Sequence, residues 1–373
     1  MAKKIGILTA GSDCPGLNAA IRGFGKTAKR IHGMELLGFR DGFQGLIDNH
    51  TVDLGGDALS NILTAGGTIL GTSRVVPHHV EEGDQVLDKT GDAVAAYHEN
   101  KLDALVCIGG RETMTAAHHL QNAGLNVITL PKSAVNDMPL TDTTIGFDTA
   151  KMIATEAIDR LHSTANSTHR IIIVELMGRE VGWLTLAAGI AAGADVILIP
   201  EIPYNINTIA EAILSRSQAG KLFSIVAVAE GAHSSELVDF FERSMKMNQQ
   251  VHEGQSLAAN RERMAALKRK YSGQTMMLAN RLETKTGIES RITILGYLLR
   301  GGTPSASDRV LATQLGTRAA DLVFEGRFGV MVGIQDGKTA CVPIEAVAQA
   351  EKPVPADHPW LISARNVGTV FGD

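Results

Sequence analysis

The sequence predicts an α/β fold built on a doubly wound parallel sheet, and three observations lead to that prediction. Lys4–Thr9 and Ile171–Leu176 are almost uninterrupted apolar runs, as is typical of strands that are buried on both faces of a parallel sheet. Glycine-rich turns follow several of these runs, and segments with helical character follow the turns. Strand, turn and helix repeat through the first roughly 150 residues, which indicates βα units of the doubly wound type.

Composition and charge narrow the class of protein before any motif is considered. The chain has 373 residues, of which 44% are hydrophobic and 20% charged, as in a globular protein. Material for roughly two or three domains is present. A net charge of −5 and an aromatic content of 4% provide no basic patch or stacking surface for nucleic acid. An anionic small substrate would therefore need basic residues that gather locally.

The number and spacing of the cysteines, together with the N-terminal sequence, indicate the cellular compartment of the protein. The three cysteines are an odd number, spread far apart, and they match neither a disulfide framework nor a metal-ligand spacing. The chain enters an apolar strand directly after its first residues, and no apolar run approaches the ~20 residues of a membrane span. We expect a cytoplasmic protein without a signal peptide or membrane partner. The cysteines are Cys14, Cys107 and Cys341.

Two glycine-rich turns near the N-terminus suggest an anion site. The first turn, 10–16, lies between the strand Lys4–Thr9 and a predicted helix at Leu17–Arg30, where backbone N–H groups and the helix dipole can bind an anion. It lacks the lysine of a Walker loop and the spacing of a dinucleotide fingerprint. The second loop, 65–74, ends in Arg74, a forked donor for phosphoryl oxygens. A tight turn and a flexible linker remain the alternatives.

The strand Val127–Leu130 runs into the loop 130–150, where we expect the chemistry to lie. Prolines restrict the backbone of this loop. In α/β proteins, rigid loops that follow strand ends often contain the functional residues. An ordinary surface turn is the alternative. Its polar residues are Lys132, Ser133, Asp137, Thr141 and Asp142. We also predict strands at Leu36–Phe39 and Ala104–Ile108, helices at Gly91–Lys101 and from near Asp148, and a third glycine-rich turn at 109–113.

The second half of the chain continues the alternation. Glu201 and Glu230 follow two predicted strands, and each could be a solvated cap or receive a substrate hydroxyl; Glu230 is preferred. Leu237–Lys285 is charged and helix-rich, which indicates an exposed helical insertion. Further predictions are strands at Asp195–Pro200, Ser224–Ala229, Arg291–Tyr297 and Gly329–Gln335, a glycine-rich loop at 299–308, a helix at Asp308–Phe324 and an irregular tail from Lys352.

Segments in order along nearly the whole chain resemble the phosphofructokinases that use ATP or pyrophosphate. The most specific are Thr-Ile-Gly-Phe-Asp-Thr-Ala at 144–150 and Leu-Arg-Gly-Gly-Thr-Pro-Ser-Ala-Ser-Asp-Arg at 299–309. The resemblance implies two doubly wound Rossmann-like α/β domains facing a cleft, a homodimer or homotetramer, and phosphoryl transfer to the 1-hydroxyl of fructose 6-phosphate in glycolysis. It predicts a donor-binding domain at 1–146 plus 299–349, and a sugar-phosphate domain at 147–298 plus 350–373 with the helical insertion at about 237–285.

The resemblance also implies roles for individual residues, which fit the demand for a local basic cluster around a dianion. Arg170 and Arg291 would reach the sugar phosphate from a neighbouring subunit, and Tyr297 stands where the family usually has His. The residues implied for the sugar phosphate are Arg170, Met177, Arg179, Glu230, Arg291, Tyr297 and Arg300. Those implied for the phosphoryl donor are Gly11, Arg74, Arg111, Glu112, Thr113 and Lys132, and those for catalysis are Ser133, Asp137 and Arg179.

Two positions depart from the family at the reaction centre. Arg111 stands where the family has the carboxylate that holds magnesium, and Val135 stands at the position of the catalytic base. A general base contributes ~10²–10⁴ in rate, and Mg²⁺ neutralises charge in the transition state. The resemblance therefore implies Mg²⁺ as a cofactor, whereas Arg111 at its carboxylate position argues against the ion. Catalysis could be retained only if other groups replaced the base and the metal. Asp137, two residues along an extended segment, would have to approach the position of Val135. Arg111 would have to place its positive charge at the position of the metal ion.

Donor choice and overall function follow from the same positions. Lys132 and Glu112 match the residues of pyrophosphate-type members of the family, whereas ATP-dependent members have Gly at both positions. A side chain at position 112 would crowd and repel a nucleotide. Pyrophosphate is therefore favoured over ATP as the phosphoryl donor. The sequence predicts a phosphofructokinase-family protein whose phosphoryl transfer is weak or lost, or a non-catalytic regulatory or sugar-phosphate-sensing paralogue. A nicotinamide-dependent oxidoreductase is disfavoured, because no glycine-rich turn has dinucleotide spacing with an acidic residue ~20 positions on.

Overall fold

The predicted α/β class is confirmed by a computed structural model, which describes residues 2–83, 85–241, 243 and 273–373. The charged segment 260–270 of the predicted insertion lies outside these residues. The chain divides into two compact units, Met1–Ala150 with Tyr297–Lys352 (unit 1) and Lys151–Gly296 with Pro353–Asp373 (unit 2). In the described residues, no helix is both long and apolar enough to cross a membrane.

Unit 1 contains a mixed sheet that is parallel in its centre. Among the described residues its strand order is β13-β12-β7-β6-β1-β2-β3, with antiparallel pairs only at the two edges. A separate hairpin is formed by β4 and β5. The strands are β1 Lys4–Thr9, β2 Glu35–Phe39, β3 Thr51–Asp53, β4 Val80–Glu82, β5 Gln85–Leu87, β6 Ala104–Gly109, β7 Val127–Pro131, β12 Val330–Gln335 and β13 Lys338–Pro343.

Helices cover both faces of the unit 1 sheet, which explains the uninterrupted apolar character of β1. Ile5 and Ile7 pack in one buried cluster with Phe24 and Leu315, from the helices Leu17–Arg30 and Ala306–Glu325. Leu8 packs in a second cluster with residues of the helices on the other face. Unit 1 helices are Leu17–Arg30, Phe43–Ile47, Thr90–Glu99, Arg111–Asn122, Ala306–Glu325, Ile344–Gln349 and the 3-10 helix Gly296–Arg300; Phe147–Thr168 begins in this unit.

Unit 2 contains a parallel sheet with the order β11-β8-β10-β9 among the described residues. Its strands are fully buried where they pair at the centre, as in β10. The strands are β8 Ile171–Leu176, β9 Val196–Leu198, β10 Ser224–Ala229 and β11 Ser290–Ile294. The helices are Trp183–Ala191, Ile206–Gln218, Gln274–Thr286 and Pro359–Asn366, together with residues 235–241.

Two sequence expectations about the C-terminal part were wrong. The strand predicted to reach Tyr297 ends at Ile294, because Gly296 adopts a φ of 46° and the chain continues as a 3-10 helix. The tail predicted to be irregular contains the helix Pro359–Asn366. His358 caps this helix by accepting a hydrogen bond at Nδ1 from the backbone N–H of Trp360 at 3.3 Å. Prolines before the helix mask it in the sequence, although proline is well suited to a first helical position.

Candidate functional site

The carboxyl ends of β1, β6 and β7 lie side by side in unit 1 and bring three predicted loops together. Thr9 pairs with Ile108, and Gly109 pairs with Pro131. The backbone N–H of Lys132 donates to Gly109 O at 2.9 Å. Because parallel strands present their carboxyl ends at one edge, this edge is where α/β proteins bind ligands. The glycine-rich turns and the loop 130–150 thus meet at one site.

The loop 65–74 is fastened directly to the first turn. Gly11 N donates to Ser73 O at 2.8 Å, and Thr72 Oγ1 donates to Gly11 O at 2.7 Å. The buried amide of Asn18 donates to two carbonyls of this loop and accepts from Ile69 N at 2.8 Å. These bonds hold the loop as a structured wall of the site, so the flexible-linker alternative does not describe it. Arg74, at its end, is exposed.

Lys132 is the buried cation of the site. Its side chain is 3% exposed, and its ammonium donates to Ser12 O. Burial lowers the pKa of this ammonium and Arg300 adds to the shift, whereas the charges of Asp137 and Asp13 oppose it. A buried ammonium is costly unless oxygen atoms surround it. Lys132 therefore gives the site the positive charge that an acidic protein needs in order to bind an anion.

The third glycine-rich turn leads into the helix Arg111–Asn122. Gly109 has no room for a side chain, because a Cβ there would lie 2.1 Å from Thr113 Oγ1. Arg111 is half-buried at the first helical position, Glu112 is exposed, and Thr113 is 1% exposed. Thr113 Oγ1 would lie 3.9 Å from a Cβ on Gly11. The structure thus brings Gly11, Thr113 and Lys132 together.

The loop 133–137 is not the extended segment that the sequence suggested. Ala134 and Val135 lie in a turn, and Asn136 has a left-handed φ of 57°. Val135 N donates to Ser133 Oγ at 3.2 Å. The extended backbone that a rescue by Asp137 would require is therefore absent. The physical reason is local: a turn closed by the Ser133 hydroxyl replaces the extended backbone.

A buried carboxylate, Asp308, holds the end of the same loop. Asp308 accepts hydrogen bonds from Gly146 N at 3.0 Å and from Thr149 N at 2.8 Å, and a third from the Thr149 hydroxyl. It thereby caps the helix Phe147–Thr168 from a distant part of the chain. Burial raises the pKa of the Asp308 carboxyl, and these hydrogen bonds oppose the rise.

A reciprocal bond strengthens this connection between two helix N-termini. Ser305 caps the helix Ala306–Glu325 by accepting from Asp308 N at 3.1 Å, and its hydroxyl donates to Asp148 Oδ2 at 2.7 Å. Ser305 N in turn donates to Thr149 Oγ1 at 2.9 Å. The two segments that carried the family resemblance are thus joined by hydrogen bonds within unit 1.

Replacing Asp308 by Asn should destabilise the protein by about 2 kcal/mol, because an amide retains one acceptor oxygen and turns a donor toward backbone N–H groups. Urea unfolding followed by circular dichroism measures the change. Asp321→Asn is the matched control on the same helix, since its carboxylate pairs with His32 and its side chain is 43% exposed; its effect should stay below about 1 kcal/mol. Equal decreases in the free energy of unfolding of the two variants would contradict the stabilising role assigned to Asp308.

Lys352 supports the loop at its other side. Its ammonium donates to Thr141 O at 2.7 Å and to Asp142 O at 3.0 Å. Burial lowers the pKa of Lys352 to about 8, against the opposing charges of Asp142 and Asp137. Thr141 itself accepts from Ile334 N at 2.9 Å, which ties the loop to β12. The loop 130–150 is therefore held along its whole length.

In unit 2, two of the predicted sugar-phosphate arginines share one carboxylate. Arg170 Nε donates to Glu289 Oε2 at 2.7 Å, and an Arg291 guanidinium nitrogen bonds the other oxygen of Glu289. Their side chains are 32% and 54% exposed. Glu289 was not singled out from the sequence. It holds two forked cations side by side, which is the charge arrangement that a phosphate dianion requires.

Met177, Arg179 and Glu230 also lie together in unit 2, at the carboxyl ends of β8 and β10. Arg179 Nε is 3.7 Å from Glu230 Oε2, and Gly178 N donates to Glu230 Oε1 at 3.4 Å. Gly231 is required here, because a Cβ would lie 2.0 Å from Arg179 O. Met177, which directly follows β8, is half-buried. Glu201, the other strand-end carboxylate, instead accepts from Gly182 N and Val354 N, both at 2.9 Å.

The remaining two sugar-phosphate candidates belong to unit 1. The Arg300 guanidinium carbon lies 4.1 Å from the ring centroid of Tyr297, a cation–π geometry. Arg300 is 8% exposed, and its NH1 is 3.9 Å from Asp13 Oδ1. Tyr297 is 77% exposed. Within unit 1, Arg300 therefore lies beside the first glycine-rich turn.

Comparison with known proteins settles the family. The family model described as Phosphofructokinase matches residues 4–323. The chain belongs to the phosphofructokinase family. An ATP-dependent 6-phosphofructokinase of Propionibacterium freudenreichii is similar at 52% identity over 373 residues, which is 100% of both chains. A pyrophosphate–fructose 6-phosphate 1-phosphotransferase of Amycolatopsis mediterranei is 40% identical over 355 residues, covering 95% of this chain and 97% of that protein.

Solved phosphofructokinases share the fold. Pichia pastoris phosphofructokinase in the T-state matches with a TM-score of 0.77 and 29% identity, over 93% of this chain and 35% of that longer chain. A pyrophosphate-dependent phosphofructokinase from Marinobacter aquaeolei matches with a TM-score of 0.77 at 19% identity, over 100% of this chain and 92% of that one. This second likeness concerns the fold alone.

The donor residues that the family resemblance predicts in unit 1 do not include a magnesium ligand at the family's usual position. In phosphoryl-transfer sites Mg²⁺ is usually held by one or two carboxylates together with substrate phosphates. Arg111 occupies the position that the family resemblance gives to such a carboxylate, and a guanidinium has no acceptor for a cation. No group of three or more His, Cys, Asp or Glu side chains that could hold a metal occurs in the described ranges.

Sequence reasoning missed the residues that position the others. Asn18, Glu289 and Lys352 hold loops or arginines through contacts that join distant parts of the chain. Asp308 had a sequence signal, because it lies in the specific segment 299–309, but its partners are 159 and 162 positions away. Residues that bind other residues leave no local pattern, whereas glycine-rich turns after strands do.

Proposed function

We propose that this chain binds fructose 6-phosphate and that its transfer of a phosphoryl group to the 1-hydroxyl is weak or lost. The observation that carries the proposal is Val135, an apolar residue in the turn at Ala134–Val135, at the position that the family resemblance gives to the base. Valine can neither accept a proton nor orient a hydroxyl. Arg111 at the metal position adds a second loss at the same centre.

The sugar-phosphate side of the proposal is supported by residues that remain arranged for an anion. Arg170 and Arg291 lie together on Glu289, and Arg179 lies beside Glu230 in the same unit. These groups supply forked donors for the phosphate and a carboxylate for sugar hydroxyls. We assign the sugar phosphate to unit 2 with Tyr297 and Arg300, and the phosphoryl donor to unit 1. A homodimer or homotetramer is part of this proposal.

Pyrophosphate is the donor that the proposal favours. The buried ammonium of Lys132 beside Gly11 suits a small, highly charged anion, and Glu112 would repel the larger phosphate chain of a nucleotide. Relatives carry both kinds of name, an ATP-dependent enzyme in Propionibacterium and a pyrophosphate enzyme in Amycolatopsis. The donor must therefore be identified by direct comparison of the two anions.

The test is a measurement of turnover and of sugar-phosphate binding on the same preparation. We expect calorimetry to detect binding of fructose 6-phosphate, while turnover with pyrophosphate or ATP and Mg²⁺ stays well below the 1–100 s⁻¹ typical of kinases. Turnover within that range would refute the impairment. Absence of fructose 6-phosphate binding by a folded, oligomeric preparation would refute retention of the sugar site.

A regulatory paralogue is the second candidate, favoured by ordered sugar-phosphate arginines beside an apolar residue at the base position. Such a chain would bind the metabolite and change the activity of an active family member. Mixing it with an active phosphofructokinase from the same cell should then shift the sugar-phosphate dependence of that enzyme. Unchanged kinetics together with homo-oligomers alone would exclude this role.

A further inference from the structure

Two buried cations of unit 1 have almost no hydrogen-bond partners. The ammonium of Lys132 donates a single hydrogen bond, to Ser12 O, and has no ion pair within 4.0 Å in the described part of the chain. Arg300 is 8% exposed; among the residues that the structure describes, its Nε is buried without a hydrogen-bond partner and its one ion pair is with Asp13 at 3.9 Å. An ammonium has three donors and a guanidinium five. Most of these donors are thus unused.

Such an arrangement is unfavourable for the protein alone. Removing a charge from water costs several kcal/mol unless opposite charge or hydrogen bonds replace the lost hydration. Arg300 also acts on Lys132 as a like charge, since it contributes to lowering the pKa of the ammonium. Two cations that are buried near one another, with Ser12 O and a 3.9 Å ion pair to Asp13 as their acceptors, indicate a place where an anion completes the site.

The missing side chain at Gly11 leaves room beside Lys132 for an oxygen of a phosphoryl group. A Cβ built on Gly11 would lie 3.5 Å from Lys132 Nζ and 3.9 Å from Thr113 Oγ1. The absence of a side chain at Gly11 therefore leaves a niche from which an ammonium and a hydroxyl can both be reached. Main-chain N–H groups of a glycine-rich turn can add further donors to an oxyanion.

We infer that this niche binds inorganic pyrophosphate without a divalent cation. The inference rests on the proposed donor side of the site, and it adds that Lys132 and Arg300, in place of a metal, offset the charge of the anion. A divalent cation in the same niche would be repelled by the buried ammonium, and Arg111 has replaced the family's metal-binding carboxylate. Arg300 has enough donors to contact a sugar phosphate as well.

Calorimetric titration of the full-length protein with pyrophosphate, in EDTA and in Mg²⁺, tests the inference. We expect binding in EDTA to be at least as tight as binding in Mg²⁺, because Mg²⁺ sequesters the free anion in solution. Arg111→Asp should reverse this order, since a carboxylate weakens metal-free binding and creates a ligand for Mg²⁺. Binding by the wild type that requires Mg²⁺ would overturn the inference.

Lys132→Met supplies the second arm. This substitution should weaken pyrophosphate binding by roughly tenfold or more, since hydrogen bonds to charged groups are worth about 1.5–3 kcal/mol. Lys338→Met, at the exposed first residue of strand β13, is the matched control and should bind as the wild type does. Fructose 6-phosphate binding by each variant reports folding. Unchanged binding by Lys132→Met, or no pyrophosphate binding in either buffer, would overturn the inference while leaving the sugar-phosphate result to judge the proposed function.

Discussion

The double substitution Val135→Asp and Arg111→Asp should raise the rate of fructose 6-phosphate phosphorylation by roughly 10²-fold or more. The first change places a carboxylate at the base position, and the second provides an oxygen ligand for Mg²⁺ at the turn after β6. Val135 is half-buried, and its backbone is fixed by a 3.2 Å hydrogen bond from Val135 N to Ser133 Oγ. The new carboxylate would therefore start from a defined main-chain position. A coupled assay of fructose bisphosphate formation, with pyrophosphate and with ATP, measures the gain.

A matched variant distinguishes the effect of a proton-accepting carboxylate from the effect of side-chain size and polarity. Val135→Asn with Arg111→Asp has nearly the same volume and polarity but no base, so we expect it to gain far less than the aspartate pair. The single substitutions should each give less than the pair, because residues that act at one centre are not additive. Equal rates for the Asn and Asp pairs, or no gain from either, would show that Val135 does not occupy the position of the base.

The sugar-phosphate arginines give the second large effect. Arg170→Met combined with Arg291→Met should weaken fructose 6-phosphate binding by roughly 10²-fold, because charge-assisted hydrogen bonds are worth about 1.5–3 kcal/mol each. Methionine keeps much of the aliphatic volume, and Glu289 is left without its two cations. Calorimetry with fructose 6-phosphate measures the loss, and urea unfolding of the free protein shows whether the fold is affected.

Arg160→Met provides the control for this pair. Arg160 pairs with Glu156 one helical turn away, and its side chain is 76% exposed. Removal of this surface charge should leave sugar-phosphate affinity within roughly twofold of the wild type, since exposed ion pairs contribute little. A similar loss in the control and in the arginine pair would mean that general electrostatics, and not a site at Glu289, attracts the sugar phosphate.

The core and the bounds of individual elements illustrate what sequence patterns could predict. The apolar run Lys4–Thr9 predicted burial on both faces, and its residues do pack in two clusters on opposite sides of the sheet. The helix at Leu17–Arg30 and the strand at Ser224–Ala229 occur with the predicted bounds. Such elements depend on periodicity and on residue type, which are local properties. The helices Trp183–Ala191 and Ile206–Gln218 were not predicted. The first is buried along most of its length and so has weak periodicity, whereas the second was missed although its buried residues follow the helical spacing. Those residues are Ile206, Ile209, Ala210 and Ile213.

The candidate site has features that local sequence patterns could not predict. The sequence placed Lys132, Ser133 and Asp137 on one loop, but it suggested an extended segment where the structure has a turn. A left-handed residue such as Asn136 carries no distinctive sequence mark apart from a modest preference of Asn for that conformation. Likewise, the sequence marked Arg300 as a sugar-phosphate residue, yet only the structure shows it buried against Tyr297 and beside Asp13.

The sequence by itself determined the family and the α/β class, and it carries the prediction that Arg111 and Val135 stand at two reactive positions of the family. These properties are carried by residue identity and by short spacings, so they can be read without coordinates. Only the tertiary structure decided that the Lys132 ammonium is buried and donates to Ser12 O, that Glu289 joins two arginines, and that Asp308 caps a helix begun 161 residues earlier at Phe147. Burial and hydrogen-bond partnership arise from contacts between distant segments, and those contacts exist only once the chain has folded.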